Sequence, residues 1–182
     1  RDLHSFPTRR SSDLWQKNQT PGRNPHEGLP FEESARIIIS HVKEGIKIAQ
    51  RHNLPKQIVD FIETHHGTST PRYFYVSWKN ANPGKEINEA GFHYPGPDPF
   101  SKETAIMMMA DAVEAASRSL SQYTEESIRT LVNKIIDSQL NDGYFKFAPI
   151  TFRDIQMVKE VFVEKLKTVY HSRIAYPEIR NK

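Results

Sequence analysis

Three groups of polar side chains lie in apolar, helix-like surroundings and are the residues best suited to chemistry. His41 lies in ISHVKEG, His65 and His66 are adjacent in IETHHGT, and Asp111 stands among methionines and alanines in MMMADAVEA. An unpaired carboxylate is costly to bury beside apolar side chains. Coordination to a cation removes that cost, and neutral imidazoles are natural co-ligands. Together the four residues favour a metal site, whose identity their spacing does not determine.

Each group also has an ordinary structural explanation. His41 alone fits a hydrogen-bonded core histidine, and the adjacent pair fits the negative end of a helix dipole. Asp111 fits an ion pair with Arg118 or with a lysine from another helix. We interpret the other histidines of the main chain segment as structural or solvent-exposed: His26, His52, His93 and His171.

The composition limits the kind of site that the chain can form. It has 182 residues, of which 37% are hydrophobic and 26% charged, which is typical of one globular domain. There is no cysteine, so a metal must be held by His, Asp and Glu. No apolar run approaches the 18 or so residues of a membrane span. A net charge of +3 is weak support for an anionic partner, and we predict no nucleic-acid binding.

The first fourteen residues, RDLHSFPTRRSSDL, have no periodicity of helix or strand. They resemble the translation of a common sequencing adapter, so we interpret 1–14 as an artefact rather than as a basic arm for nucleic acid. We expect that the protein was interrupted at this junction and that something upstream is missing. Residues 15–30, rich in turn formers, are predicted to be a loop leading into the domain.

The middle of the sequence predicts two helices and a long connection. Apolar residues at helical spacing predict a helix over about 31–52, and a second helix ends before Gly67, a good terminator. Residues 72–78 fit either an aromatic strand or a short helix. Residues 80–99, with four prolines, predict a long ordered loop.

Cap residues predict three more helices, over about 101–120, 124–140 and 151–170. The last begins with a capping-box pattern, with Asp154 three residues after Thr151. Alternation makes 144–152 the best strand candidate, although its proline argues against a central strand. The pattern therefore predicts a mostly α fold of five or six helices.

Four short stretches of the sequence together resemble the HD-domain phosphohydrolase superfamily: ISHVKEG, HHGT, YPGP and ADAVEA. More narrowly, the chain is similar to the cytoplasmic catalytic domain of bacterial seven-transmembrane HD proteins, the cyclic-di-AMP phosphodiesterases. The resemblance runs from about Asn18 to Glu178. It implies an all-α HD-domain helical bundle over 31–178, followed by a short tail at 179–182.

The resemblance also implies a ligand set. By position, His41 corresponds to the family's later single histidine, His65 and His66 to its double histidine, and Asp111 to its closing aspartate. The family's early histidine and its His-Asp pair have no counterpart, and we expect them upstream of Asn18. The helical bundle is therefore expected to be N-terminally truncated, without the bridging aspartate.

The chemistry that the resemblance implies is hydrolysis of a phosphodiester. Two divalent transition metals, iron or manganese, would hold a metal-bound water that opens cyclic di-AMP to the linear dinucleotide. Lys43 and Arg118 are predicted to contact phosphate, and Tyr94 to border the adenine. Without the His-Asp pair, we expect this chain to hold at most one metal and to be inactive.

Two other functions stay open at this point. The domain could be an HD phosphohydrolase acting on another nucleotide, or a degenerate HD module that binds nucleotide without hydrolysis. The resemblance implies that the parent is a bacterial inner-membrane protein, anchored through upstream spans, with this domain in the cytoplasm. The sequence leaves homodimerisation open.

Overall fold

A computed structural model describes residue 26 and residues 28–171. Every regular element in this part of the chain is helical, so the predicted all-α class is confirmed. None of these helices has both the length and the apolar character that crossing a bilayer requires. The described residues fall into two compact units, divided after Pro97. Three predicted segments lie wholly or mostly outside the described residues: 1–14, 15–30 and 179–182.

The first unit is built around one long helix. α1 (Phe31–Arg51) packs against α2 (Lys56–Thr64), α3 (Arg72–Ala81) and a 3-10 helix (Glu89–Phe92). α1 begins after Pro30, and the two glutamates in its first turn favour the positive end of its dipole. The first two predicted helices are confirmed.

An aromatic core explains the rest of the first unit. Residues 72–78, for which strand and helix were both open, are helical because Phe74 and Trp78, four residues apart, bury the same helix face. Phe92 is 1% exposed and holds the 3-10 helix against the core, which interrupts the predicted loop over 80–99. The buried residues of this core are Ala35, Phe74, Trp78 and Phe92.

The second unit contains three helices, α4 (Lys102–Ser117), α5 (Glu125–Asn141) and α6 (Phe152–His171). α5 packs against both of its neighbours, and α4 also contacts α6. The core between them is mainly aliphatic, and its buried residues are Ala105, Met108, Met109, Val113, Ile128, Val132, Ile136, Phe145, Ile155, Val163 and Leu166. The three predicted helices are confirmed, with α4 ending a few residues early.

Side-chain caps begin all three of these helices as predicted, and that of Ser101 accepts a hydrogen bond from the backbone N–H of Thr104 at 3.2 Å. The side chain of Thr124 accepts a hydrogen bond from the backbone N–H of Ser127, at 3.2 Å. Thr151 and Asp154 form the reciprocal capping box, in which each backbone N–H donates to the other side chain, at 2.9 and 3.1 Å. Lys102 lies 2.9 Å from Asp154 and, with the bonds from Thr151, holds the pKa of that carboxyl below its usual range.

The predicted strand over 144–152 is wrong. The backbone there forms turns, in which Lys146 N–H donates to the carbonyl of Gly143 at 3.3 Å and Ala148 N–H to that of Phe145 at 3.0 Å. These local bonds satisfy backbone groups that a strand would present to a neighbouring strand. The alternating side chains therefore reflect turn geometry, not a pleated sheet.

Candidate metal centre

The first two helices bring three histidines together. His41 lies within α1, while His65 is the C-cap residue of α2 and His66 follows it. Gly67 then turns the chain with a φ of 52°, in the left-handed region that glycine tolerates best. One ring nitrogen from each histidine lies within 4.8 Å of the others. We call these three residues the histidine cluster.

Backbone carbonyls orient two of the three rings. Nδ1 of His41 lies 2.5 Å from the carbonyl oxygen of Ile38, and Nδ1 of His65 lies 2.9 Å from that of Ile62. Because a carbonyl oxygen only accepts, each Nδ1 carries the proton and donates it. Histidines that bind metals characteristically make this bond with their second nitrogen.

The other nitrogens of these two rings meet. Nε2 of His41 lies 3.0 Å from Nε2 of His65. With protons on both Nδ1 atoms, the two Nε2 atoms direct their lone pairs towards one another, which is favourable only when a proton or a cation lies between them. Imidazole nitrogens bind transition metals at about 2.0–2.1 Å. Two nitrogens at this separation can therefore bind one cation, and the donor set fits a divalent transition metal.

Burial favours the neutral, metal-binding form of two of the three histidines. Burial lowers the pKa of His41, and the neighbouring His65 adds to this effect. Burial, followed by the proximity of His65 and His41, lowers the pKa of His66 to about 2. Because metal ligation requires a neutral imidazole, both rings are ready to bind at neutral pH without losing a proton.

Tyr94 covers one side of the cluster. Its ring stacks on His66, with centroids 4.2 Å apart and planes 27° apart, and meets His41 edge-on at 6.0 Å. Its backbone N–H donates to the carbonyl of Ser69 at 2.9 Å, which ties it to the turn after Gly67. Tyr94 is 6% exposed. Tyr94 is therefore packed on a candidate ligand, and its predicted contact with adenine stays a prediction.

Known proteins are similar to this chain in sequence and fold, although no family model matches the chain. The cyclic-di-AMP phosphodiesterase PgpH of Bacillus subtilis is 42% identical over 166 residues, which are 91% of this chain and 23% of that protein. PgpH of Listeria monocytogenes is 39% identical over 162 residues, which are 89% and 22%. The crystal structure of the L. monocytogenes PgpH HD domain matches with a TM-score of 0.77 and 37% identity, over 85% of this chain and 71% of that one.

The chain belongs to the HD-domain family of the PgpH proteins. A second crystal structure, of the same HD domain in complex with cyclic-di-AMP, matches with a TM-score of 0.78 and 38% identity. The chain spans less than a quarter of the length of the two PgpH proteins. HD domains bind divalent metals, and the histidine cluster gives this HD domain candidate ligands for them.

The remaining predicted ligand of the HD domain is Asp111. It lies in α4, in the second unit, and is half-buried. Its neighbours in the helix include the buried Met108, three residues before it. That Asp111 joins the histidines at one cation stays a prediction, as does the ligand role of the cluster itself.

The two predicted phosphate contacts have different surroundings. Lys43 is exposed on α1, and residues two apart in a helix do not share a face, so it points away from the side of His41. Arg118 follows α4 and forms a bidentate pair with Glu114, at 3.0 and 2.8 Å, instead of the suggested pair with Asp111. Their roles at phosphate stay predictions.

Sequence reasoning missed the groups that orient the rings. The carbonyls of Ile38 and Ile62 each lie three residues before the histidine that they hold. This i−3 spacing was visible in the sequence, since a helical side chain reaches back over the preceding turn. The spacing is the signal that could have located both acceptors.

Proposed function

We propose that this chain is part of the HD domain of a metal-dependent phosphodiesterase that opens cyclic di-AMP to the linear dinucleotide. The observation that carries the proposal is the 3.0 Å approach of Nε2 of His41 to Nε2 of His65, with both Nδ1 protons already committed to carbonyls. The names of the PgpH relatives, and the HD domain solved with cyclic-di-AMP, support this choice of substrate.

The proposed ligands are the histidine cluster and Asp111, with iron or manganese as the native metal and two ions in the intact domain. When bound, divalent cations acidify a water and neutralise charge on the phosphodiester. The chain's own part is to supply neutral nitrogens, to fix their tautomers through Ile38 and Ile62, and to exclude water with the ring of Tyr94. The reaction adds water at phosphorus and breaks one ring P–O bond.

The sequence given contains no His-Asp dipeptide, which the resemblance identifies as the bridging pair. We therefore propose that this 182-residue chain binds at most one divalent cation, weakly, and turns over cyclic di-AMP negligibly. Nucleotide binding without hydrolysis is the second candidate function, and the missing dipeptide is the observation that favours it for this chain.

The first experiment measures metal binding to the full chain after removal of metals with a chelator. Titration with Co²⁺ is followed by visible absorption and with Mn²⁺ by electron paramagnetic resonance. Separate alanine substitutions at His41, His65, His66 and Asp111 should each weaken binding at least tenfold, or about 1.4 kcal/mol. His52→Ala, at the exposed end of α1, is the matched control and should bind as the unchanged protein does.

Cyclic di-AMP is then added with Mn²⁺, and products are separated by chromatography. We expect negligible formation of the linear dinucleotide. Calorimetry should nevertheless detect a heat of binding for cyclic di-AMP. Robust hydrolysis would contradict the proposed need for the His-Asp pair. Cation binding that survives all three histidine substitutions would remove the basis of the metal centre, and tighter binding of another nucleotide would favour a different substrate.

The relatives also support a proposal about the larger protein to which this chain belongs. We propose that residues 31–178 belong to the HD domain and that the parent is a membrane-anchored bacterial protein with this domain in the cytoplasm. The length of the PgpH relatives supports a longer parent. Sequencing upstream of Asn18 tests this, since membrane spans and a His-Asp pair are expected there. Light scattering tests homodimerisation.

A further inference from the structure

Gly45 and Ile62 make a contact that lies beside the histidine cluster. Gly45 follows His41 by one turn of α1, and Ile62 precedes His65 by nearly one turn of α2. A Cβ built at Gly45 would lie 3.0 Å from Cγ2 of Ile62. Ordinary carbon–carbon contacts are about 3.5–4.0 Å, so a side chain at position 45 would force Ile62 to move by a few tenths of an ångström.

Ile62 has little freedom to move away from such a Cβ. A β-branched side chain in a helix has one strongly preferred χ1 rotamer, so Cγ2 cannot rotate aside cheaply. Relief would therefore come from movement of the helices. Ile62 also provides the carbonyl that holds Nδ1 of His65 at 2.9 Å. A displacement of Ile62 is therefore transmitted directly to the ring of His65.

We infer that Gly45 is a positioning residue for the metal centre: its missing side chain sets the α1–α2 spacing at which His41 and His65 can bind one cation. The effect of Gly45 on metal affinity rests on the proposed function, whereas its effect on the spacing of the helices rests on the Gly45–Ile62 contact. Glycine is a poor residue for a helix interior, and close approach to Ile62 accounts for its presence here. A Cβ demands a movement of a few tenths of an ångström, and the ligands of a metal site must hold their positions to within about 0.5 Å.

The test compares four forms of the full chain: unchanged, Gly45→Ala, Ile62→Ala and the double variant. Gly45→Ala should weaken Co²⁺ binding about tenfold or more, the range seen when groups that orient ligands are changed. The double variant, whose small residue at 62 makes room for the new Cβ, should bind within about threefold of Ile62→Ala. A residue with only a structural role would show no such rescue of metal affinity.

Gly91→Ala is the matched control. It lies in the same unit, and a Cβ there meets nothing within 4 Å. It should leave Co²⁺ binding unchanged. If Gly45→Ala alone does not fold, the double variant decides, because a tenfold deficit relative to Ile62→Ala overturns the inference.

A metal-free measurement separates this inference from the proposed function. Nitrogen NMR of the ring atoms, in chelator, should show changed Nε2 shifts for His41 and His65 in Gly45→Ala and not in Gly91→Ala. If these shifts change but the unchanged chain binds no cation, the positioning role stands and the metal centre fails. If the unchanged chain binds Co²⁺ through its histidines and Gly45→Ala binds equally well, the positioning role fails and the metal centre stands.

Discussion

The two units of the described chain differ in what their packing achieves. The core of the second unit has eleven buried residues, mostly aliphatic, whereas the main core cluster of the first has four, three of them aromatic. The first unit instead holds three half-buried imidazoles against one another, with two of them bonded to backbone carbonyls. The second unit is therefore stabilised mainly by a large apolar core. The first unit has a smaller apolar core and holds polar side chains in fixed positions.

This difference gives the two units different sensitivities. A core of aliphatic side chains responds to lost volume and hardly to pH. A cluster of neutral, partly buried histidines responds to protons and cations, because its stability depends on what occupies the ring nitrogens. Substitutions in the aliphatic core of the second unit should therefore change mainly stability, and substitutions in the histidine cluster should change mainly metal affinity.

The largest effect on stability is expected from the second unit. Ile128 is fully buried in its core, so Ile128→Ala should lower the free energy of unfolding by about 2–5 kcal/mol. Co²⁺ affinity of the folded protein should change less than threefold, since no proposed ligand is altered. Urea unfolding and Co²⁺ titration at low temperature measure the two quantities.

Ile128→Val is the control, with an expected cost of about 0.5–1.5 kcal/mol. A tenfold loss of Co²⁺ affinity in folded Ile128→Ala would break the comparison. It would mean that the aliphatic core sets the geometry of the ligands and is more than scaffold.

The intermediate effect concerns pH in the metal-free protein. Burial lowers the folded-state pKa of His41 and His66 below the ordinary value of 6.5, for His66 to about 2. Below pH 6.5 the unfolded chain therefore binds protons that the folded chain refuses, so stability is lost as pH falls. For His66, whose folded-state pKa lies far below this range, the loss is about 1.4 kcal/mol per pH unit.

Urea unfolding in chelator at pH 7.5 and pH 5.0 measures this loss. His66→Phe keeps a ring against Tyr94 but cannot titrate, so it should lose about 2 kcal/mol less than the unchanged chain over this interval. The groups facing His66 are His41, His65 and Tyr94, and all three remain in the variant. An equal loss in both proteins would show that His66 is not held neutral in the folded state.

The same contrast explains which features could be predicted from the sequence. Helix starts at Thr124 and Thr151 depend on side chains within three residues, so local pattern was enough to find them. The segment 144–152 misled because alternation also arises in turns whose backbone bonds are local. A sequence pattern shows how often apolar side chains recur, but it does not show which groups the backbone N–H and C=O bond to.

The three histidines were predicted to bind together, but the distances between their nitrogens were not predicted. The resemblance identified His41, His65 and His66, and helical spacing placed each near the end or face of a helix. The 3.0 Å separation of two nitrogens depends on how closely α1 and α2 approach, and a single sequence records that only as a glycine at 45. Asp111 belongs to the other unit, so its relation to the cluster is a question of tertiary arrangement that local pattern does not address.

The smallest effect tests whether local structure in the second unit is independent of the site. Thr124 caps α5 by accepting from the backbone of Ser127 at 3.2 Å, so Thr124→Ala should lower the free energy of unfolding by about 1 kcal/mol. Thr130→Ala, at an exposed position within the same helix, is the matched control. It should be neutral or slightly stabilising, because alanine is the better helix former.

Neither substitution should change Co²⁺ affinity, since neither removes a proposed ligand. Thermal unfolding and Co²⁺ titration on the same samples measure the two effects together. Because the expected change is small, the pair Thr124→Ala and Thr130→Ala is more informative than either alone: both remove the same atoms from the same helix. An equal loss of stability in the two would mean that the cap contributes nothing, and a loss of affinity in Thr124→Ala alone would mean that the start of α5 is coupled to the metal centre.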